Sequence, residues 1–442
     1  MNPILLENIE QLNSKLVEVL IKKHSVEAVP HLNVLKNYYI GKHDILNRTM
    51  ADPTKPNNKI VNSYGSYIVD MIQGYFLGKP VTYTSKNTNL LEKLQLIYND
   101  NDEQAHNSLL GKDASIHGVA YEMLYINEKN EIKFAILPAN EVFMIYDTSI
   151  NPSPVAAIRY YGVTDYISNS VQTKVEVYTD KTIKYYKQGK KGLELVDEKQ
   201  HYFGGVPIVP YFNNQEEQGD FEKVIPLINA YDKAVSDQVN DMEYLADSYL
   251  VLKGMAASDL EDIAHMKERR VMLLDEGGDA EWLVKQTDNA TIEAYKNRLQ
   301  QDIHKFSYVV DLSNDSFGSN LSGISLQYKF MGLEQICGNK ERLFKQSLVE
   351  RITLITNILN IKGGNYSPSE VEMQFTRNLP FNLPEKVQLV KDLYGILPSD
   401  TLLAQLPFVH DAQAELDKLE EQNGDNTGEY SFPGHTVEQP IE

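Results

Sequence analysis

A mixed α+β fold is what the spacing of apolar residues predicts, and three observations carry it. Up to about residue 120, apolar residues recur at steps of three and four, the period of helices with one buried face. From Ala120 to about residue 200 the step becomes two, the period of half-buried strands. Over 221–360, two amphipathic helical patterns flank a compact insert, and a polar loop and one very long helical pattern follow.

The bulk properties set limits first. A chain of 442 residues with 42% hydrophobic content can bury a sizeable core and divide into several domains. A net charge of −20 argues against wrapping nucleic acid through phosphate neutralisation. The single cysteine, Cys337, excludes an intrachain disulfide and reads as a small buried residue. No stretch approaches the roughly 18 apolar residues of a membrane span, and MNPILLENIEQ lacks the basic start of a signal peptide. The expectation is synthesis and retention in a cytoplasm until assembly.

In chain order, Leu5, Ile9, Leu12, Leu16 and Val19 predict a helix over 3–21. Pro30 opens a short helix closed at Gly41, and Tyr64, Tyr67, Ile68, Met71 and Tyr75 form a stripe closed by Gly78 and Pro80. Asp102 is a candidate cap for a helix that stops at Gly118. AYEMLYINEKNEIKFAILPA reads as a hairpin turning at 128–130, and EVFMIYD, VAAIRYYG, KVEVYT, TIKYYK and LELVDE as further strands. Gly204, Gly205, Pro207 and Pro210 are expected to end the sheet region. Residues 1–220 are thus one α+β body with mostly antiparallel pairing.

The helical pattern of 221–251 carries Ile228, Tyr231, Val235, Val239, Met242, Ala246 and Tyr249 on one stripe, with Asp232, Asp237, Asp241, Glu243 and Asp247 elsewhere. The insert, 252–288, reads as a small α/β module: a strand from Tyr249, a helix from Ser258, a strand from Arg270, an EGGD turn and a strand from Trp282. In 289–312, Ile292, Tyr295, Leu299, Ile303 and Phe306 restore the helical spacing, with Asp288 or Asn289 as its cap. The stretch 313–323, SNDSFGSNLSG, has the composition of a mobile loop. The long helix runs from Ser322 to about Ile361, with Met331, Leu343, Leu348, Ile352, Ile355 and Leu359 as buried positions and Gly332 and Gly338 as points where it can kink. EVEMQFTR reads as a returning strand, and Pro384 opens shorter helices over 384–422. From 411 to 442 nine acids face one base, Lys418, so 423–442 is expected to be a disordered acidic tail.

Four stretches, in this order, carry a resemblance: KPNNKIVNSYGSYIVDMIQGYFLGKPVTY, ILPANEVFMIYD, VIPLINAYDKAVSDQVNDMEYLADSYLVLKG and SNLSGISLQYKFMGLE. The chain resembles the portal protein family of tailed bacteriophages, in the branch of siphoviruses of Gram-positive hosts, over about 36–420. The resemblance implies a portal fold. Residues 1–220 and 324–383 are its wing, 221–251 and 289–312 its stem helices, 252–288 its clip and 384–422 its crown. It implies a dodecameric ring at one capsid vertex, through which double-stranded DNA is packaged and ejected without regard to sequence. The implied partners are the terminase large subunit, the major capsid and scaffolding proteins, and a head-completion or adaptor protein. The implied location is the virion, after assembly in the host cytoplasm.

The resemblance makes 313–323 the tunnel loop, with Ser313, Asn314, Ser319 and Asn320 offering weak hydrogen bonds to passing phosphates and Phe317 and Leu321 packing loop on loop. Asp237 and Asp241 are candidates for a like-charged channel wall that keeps DNA from sticking, against the plainer reading of a solvated face. In the clip, Lys267, Arg269, Arg270, Glu276, Asp279 and Trp282 form the expected docking surface.

Catalytic patterns are missing from the sequence: it has no G-x-x-x-x-G-K-[ST] phosphate loop, G-x-G-x-x-G, G-x-S-x-G or H-E-x-x-H. No catalytic residue, cofactor or metal is therefore expected. Asp275, Glu276, Asp279 and Glu281 lack EF-hand spacing and read as an exposed turn. His24, His31 and His43 have no ligand spacing, and His117 reads as structural. Two alternatives remain from other classes: an enzyme with a nonstandard site in the N-terminal α+β body, and a capsid scaffold without a pore.

Overall fold

In the computed structural model, described residues are 3–53, 55–189, 191–246, 249–253, 279–283, 289–312, 323–378, 383–404, 406, 409 and 412–425. Contacts divide the chain into two units, Met1–Gly318 with Tyr328–Asn378, and Ser319–Gln327 with Leu379–Glu442.

The first unit begins with β1 (Ile4–Leu5), which pairs in parallel with a later strand, and α1 (Ser14–Glu27). The continuous helix expected over 3–21 does not form. Two asparagines interrupt it: Asn8 Oδ1 accepts from Glu10 N at 2.9 Å to start a 3-10 turn, and Asn13 Oδ1 accepts from Leu16 N at 3.0 Å to start α1. Next come α2 (Val29–Tyr39), α3 (Tyr64–Phe76), the short strand β2 (Thr82–Ser85), α4 (Thr88–Asp100) and α5 (Glu103–His117). Pro30 lies in the first turn of α2, and Gly118 (φ 85°) closes α5 in the left-handed conformation that glycine adopts without strain.

The strands follow as β3 (Val119–Ile126), β4 (Ile132–Leu137), β5 (Val142–Tyr146), β6 (Pro154–Asp165), β7 (Ser170–Tyr178), β8 (Thr182–Gly189), β9 (Gly192–Gln200) and β10 (Ile208–Phe212). One sheet has the order β1-β5-β6-β7-β8-β9 and a second the order β10-β3-β4. Pro207 and Pro210 therefore do not end the sheet region. Pro210 sits inside β10, opposite Tyr121, because β10 is an edge strand and its missing N–H leaves no ladder bond broken. The larger sheet is covered on both faces near β5. Phe143 and Ile145 join Val17, Ile158 and Val175 in a cluster flanked by Leu12, Leu20 and Ile21. Their alternates Val142 and Met144 join Val119, Tyr121, Leu137 and Ile208 of the second sheet. Two-sided cover explains why β5 reads as a continuous apolar run.

The chain then forms α6 (Ile225–Ala246), β11 (Tyr249–Lys253), β12 (Asp279–Leu283), α7 (Asn289–Ser307), α8 (Gly323–Ile361) and β13 (Val371–Gln374). β11 and β12 form an antiparallel ladder, so the expected strand from Trp282 begins three residues earlier, at Asp279. β13 returns antiparallel to β2, tying the end of α8's connection to the N-terminal helices. In α8, Leu348, Ile352 and Ile355 are fully buried as expected, but Met331 is 55% exposed. The second unit contains α9 (Leu383–Leu393), α10 (Ser399–Leu403) and α11 (Ala412–Asp425), with Leu402 buried. Among the described residues, no helix is long and apolar enough to cross a membrane.

Candidate functional site

Helix α6 is laced into the body by an extended segment, 58–62. Asn62 N and Nδ2 donate to Asp232 Oδ1 at 2.8 and 2.9 Å. Ile60 N donates to Ser236 Oγ at 2.9 Å, and Asn58 N and Nδ2 donate to Asn240 Oδ1 at 2.7 and 3.0 Å. The match is geometric. Four helical residues advance about 6 Å, and two extended residues advance about 6.6 Å with their N–H groups on the same side. Every second donor of the segment thus meets every fourth acceptor of the helix. Asp232 and Ser236 are fully buried and Asn240 is nearly so.

The second oxygen of Asp232 takes a hydrogen bond from His43 Nδ1 at 2.5 Å, and His43 Nε2 faces Tyr38 O at 3.1 Å. The His43 ring stacks on Tyr38, whose hydroxyl donates to Asn229 Oδ1 at 2.6 Å. His43, which had no expected role, is therefore a packing and hydrogen-bonding pivot of α6. Asp237 pairs with the Arg48 guanidinium, and Asp241, one turn on, is partly buried.

α6 and α7 are joined by a polar clasp: Lys296 Nζ donates to Gln238 Oε1 at 2.7 Å and pairs with Glu293 at 2.6 Å, while Gln238 Nε2 donates to Glu293 Oε1 at 3.1 Å. The hydrogen bond from Lys296 lowers the pKa of Glu293. Leu299 and Ile303 of α7 are buried, but Tyr295 and Phe306 of the same stripe are 51% exposed. After α7 the chain doubles back. His304 Nδ1 meets Val309 O at 3.2 Å, Gln300 Nε2 donates to Asp311 Oδ2 at 3.0 Å, and Tyr67 OH donates to Val310 O at 2.9 Å. This backbone is fixed up to the point where 313–322 begins.

α8 is held by a row of buried polar anchors. Lys340 Nζ donates to Ser115 Oγ at 2.7 Å and pairs with Asp220. Ser347 Oγ donates to Pro210 O at 2.6 Å, and Asn357 Nδ2 to Phe203 O at 2.7 Å. Between them Arg351, fully buried, bonds Glu122 Oε2 at 2.9 Å, Glu103 Oε1 at 3.1 Å and Asn107 Oδ1 at 2.8 Å. Its guanidinium lies 5.0 and 5.6 Å from the ring centres of Phe134 and Tyr211. Burial would raise the pKa of Glu122, but the Arg351 charge and the His106 hydrogen bond override it and hold the carboxyl at about 2. Near its start, Glu334 accepts from Tyr75 OH at 2.6 Å and pairs with Arg377 at 2.9 Å. Burial pushes the Cys337 thiol up to about 12 and lowers His24 and His117 to about 4. These groups face protein partners or apolar walls, an arrangement that fixes elements. Among the described residues, no group of three or more His, Cys, Asp or Glu could hold a metal.

Of the residues singled out from the sequence, Ser313, Asn314, Phe317, Ser319, Asn320, Leu321, Lys267, Arg269, Arg270 and Glu276 lie outside the described residues. Asp279 and Trp282 lie on β12, opposite Lys253 and Leu250 of β11. Asp237 and Asp241 share a face of α6, with Asp237 ion-paired across to the loop that precedes the lacing segment. The lacing itself escaped the sequence reading, although Asp232, Ser236 and Asn240 recur at every fourth position.

Two clasped helices flank an antiparallel strand ladder in the chain, and a long helix anchored by buried polar groups follows them. The chain belongs to the family described as "Phage portal protein, SPP1 Gp6-like", whose model matches residues 19–429. Among its relatives, it is 26% identical over 455 residues to the portal protein of Bacillus phage SPP1, covering 96% of this chain and 89% of that protein. It is 27% identical over 430 residues to the portal protein of Clostridium phage phiCD119, covering 89% and 93%.

Proposed function

We propose that this portal family member closes into a ring, a dodecamer by family resemblance, at one capsid vertex. The genome passes through its channel during packaging and ejection. In this reading α6 and α7 are the stem, 252–288 is the clip, 313–323 is the tunnel loop, the N-terminal α+β body and α8 form the wing, and α9 to α11 belong to the crown. The clip receives the terminase large subunit and later the head-completion or adaptor protein, and the outer surfaces meet capsid and scaffolding proteins. The ATPase that drives DNA belongs to the motor, in keeping with a sequence that has no phosphate loop.

The observation that carries the reading is the family match over 19–429, which spans the α6–α7 pair, its strand ladder and α8 in one uninterrupted order. The channel wall need not bind DNA strongly. Of the two acids on α6, Asp237 is balanced by Arg48, so a negative contribution to that wall would come from Asp241, and like charge disfavours phosphate capture.

Negative-stain electron microscopy of the purified chain, alone and co-expressed with its capsid protein, tests this. The expected result is closed rings with a hole of at least DNA width, roughly 20 Å on groove dimensions. A monomer or dimer under both conditions would overturn the reading.

A further inference from the structure

We propose that Phe306, Tyr308, Leu312, Tyr328 and Met331 form an apolar collar that packs against a second copy of this chain. The proposal rests on the ring reading and names the surface that closes the ring.

The five side chains come from the two ends of the 313–322 segment, and one contact brings those ends together. Tyr308 lies over Gly332: a Cβ at Gly332 would stand 3.3 Å from Tyr308 Cδ1. Tyr308 has φ 59°, a left-handed conformation uncommon outside glycine, and it turns the chain at the end of α7. Tyr328 is one helical turn before Gly332, on the same face of α8, and Met331 immediately precedes it. Phe306 and Leu312 stand two residues before and four after Tyr308.

Exposure here does not come from loose packing. Phe306, Tyr308, Leu312, Tyr328 and Met331 are 51, 53, 46, 74 and 55% exposed. In the same turns Ser307, Val309, Phe330 and Leu333 are buried. The backbone is docked, and the five large apolar groups project from a fixed surface.

The area suits a subunit contact. An aromatic side chain covers about 150–250 Å² when fully buried. Five half-exposed groups therefore leave about 400–500 Å² uncovered, the size at which an exposed patch marks an interaction site. A standard interface uses about 800 Å² per partner, so the collar supplies roughly half of one. The charge of the chain explains why the contact would be apolar. Copies carrying −20 each repel one another, and short-range apolar burial can offset that repulsion where further acidic contacts cannot. Lys305, which lies 5.8 Å over the Phe306 ring, gives the patch a charged rim. In a closed ring the contact is head-to-tail, so each collar meets a different face of the next copy and the seam repeats at every interface.

The test compares wild type, Phe306→Glu/Met331→Glu and a control, Tyr166→Glu/Ile167→Glu. The control changes two residues that are 91 and 99% exposed at the β6–β7 turn. Mass photometry reads assembly, and circular dichroism melts read folding. The expected outcome is rings for wild type and control, and loss of the ring peak to the 50.3 kDa monomer for the collar variant with an unchanged melt. A photoreactive benzophenone amino acid in place of Phe306 gives a second readout that does not depend on the charged variant folding. It should yield an SDS-stable species of twice the chain mass. Rings that survive the collar charges, or rings with no such adduct, overturn the collar and leave the ring reading intact. Wild type that never forms rings removes both.

Discussion

Arg351 is a cation with no exposed surface, and its guanidinium is the common partner of Glu122, Glu103 and Asn107. Removing it leaves the Glu122 charge buried, with only the His106 and Tyr211 hydrogen bonds, at 2.8 Å each, to hold it. Breaking one side of such a pair costs about 3–5 kcal/mol, so Arg351→Met is expected to lower the unfolding free energy extrapolated from urea titrations by about that amount. Adding Glu122→Gln should recover part of it. The pH dependence follows from other buried groups. His24 and His117 have pKa values lowered to about 4, so the stability they contribute is present above pH 6.5 and lost as pH falls toward 4. Burial raises Glu350 to about 7, so its contribution runs the other way: present below pH 4.5 and lost as pH rises toward 7. Between pH 6.5 and 4.5 unfolding takes up about one net proton from these three groups. Stability should then fall by at most about 1.4 kcal/mol per pH unit, and Glu350→Gln should roughly double the slope in urea titrations. At this scale the sequence was half legible. Cys337 was expected to be buried and is, because an apolar neighbourhood on one helix is a local signal. The role of Arg351 was not, because its partner Glu122 lies 229 residues away.

The lacing of α6 shows why an element's face can be misread. Periodicity identified the helix, but apolar spacing pointed to a stripe whose member Met242 is 56% exposed, while Asp232 and Ser236 are fully buried. The reason is that 58–62 is an extended segment with backbone donors and no strand partner, so the helix turns acceptors toward it. A buried N–H left without an acceptor costs about 1–3 kcal/mol, which sets the scale for Ser236→Ala. Hydrogen exchange should then show the Ile60 amide losing protection by a factor of about 5 to 150, with Asn62, still held by Asp232, losing less. Equal protection in both proteins would mean that the segment is held by something other than the ladder. The same logic explains β10, where Pro210 suggested an end to the sheet and the edge position made it harmless. Where an element packs on its sequence neighbours, its pattern was readable. Where the partner arrives from a distant part of the chain, it was not.

For the whole molecule, four sequence stretches in the right order, together with the order of helical and sheet segments, pointed to the portal family, and the family match spans 19–429. The residues expected to touch DNA and the motor lie mostly outside the described residues. Charge, however, is a property of the full chain and leads to a prediction about assembly. Each copy carries −20, and a ring concentrates many copies around one axis. Their mutual repulsion acts through solvent and is screened over about 10 Å at 0.1 M salt and about 3 Å at 1 M. Apolar contacts such as the collar are not weakened by salt in this way. If such contacts close the ring, raising sodium chloride from about 0.1 to about 1 M should increase the fraction of chain in rings at fixed protein concentration. If ion pairs between copies close it instead, the same change should dissociate the rings. Sedimentation velocity across that range separates the two, because the repulsive and attractive electrostatic terms change ring stability in opposite directions.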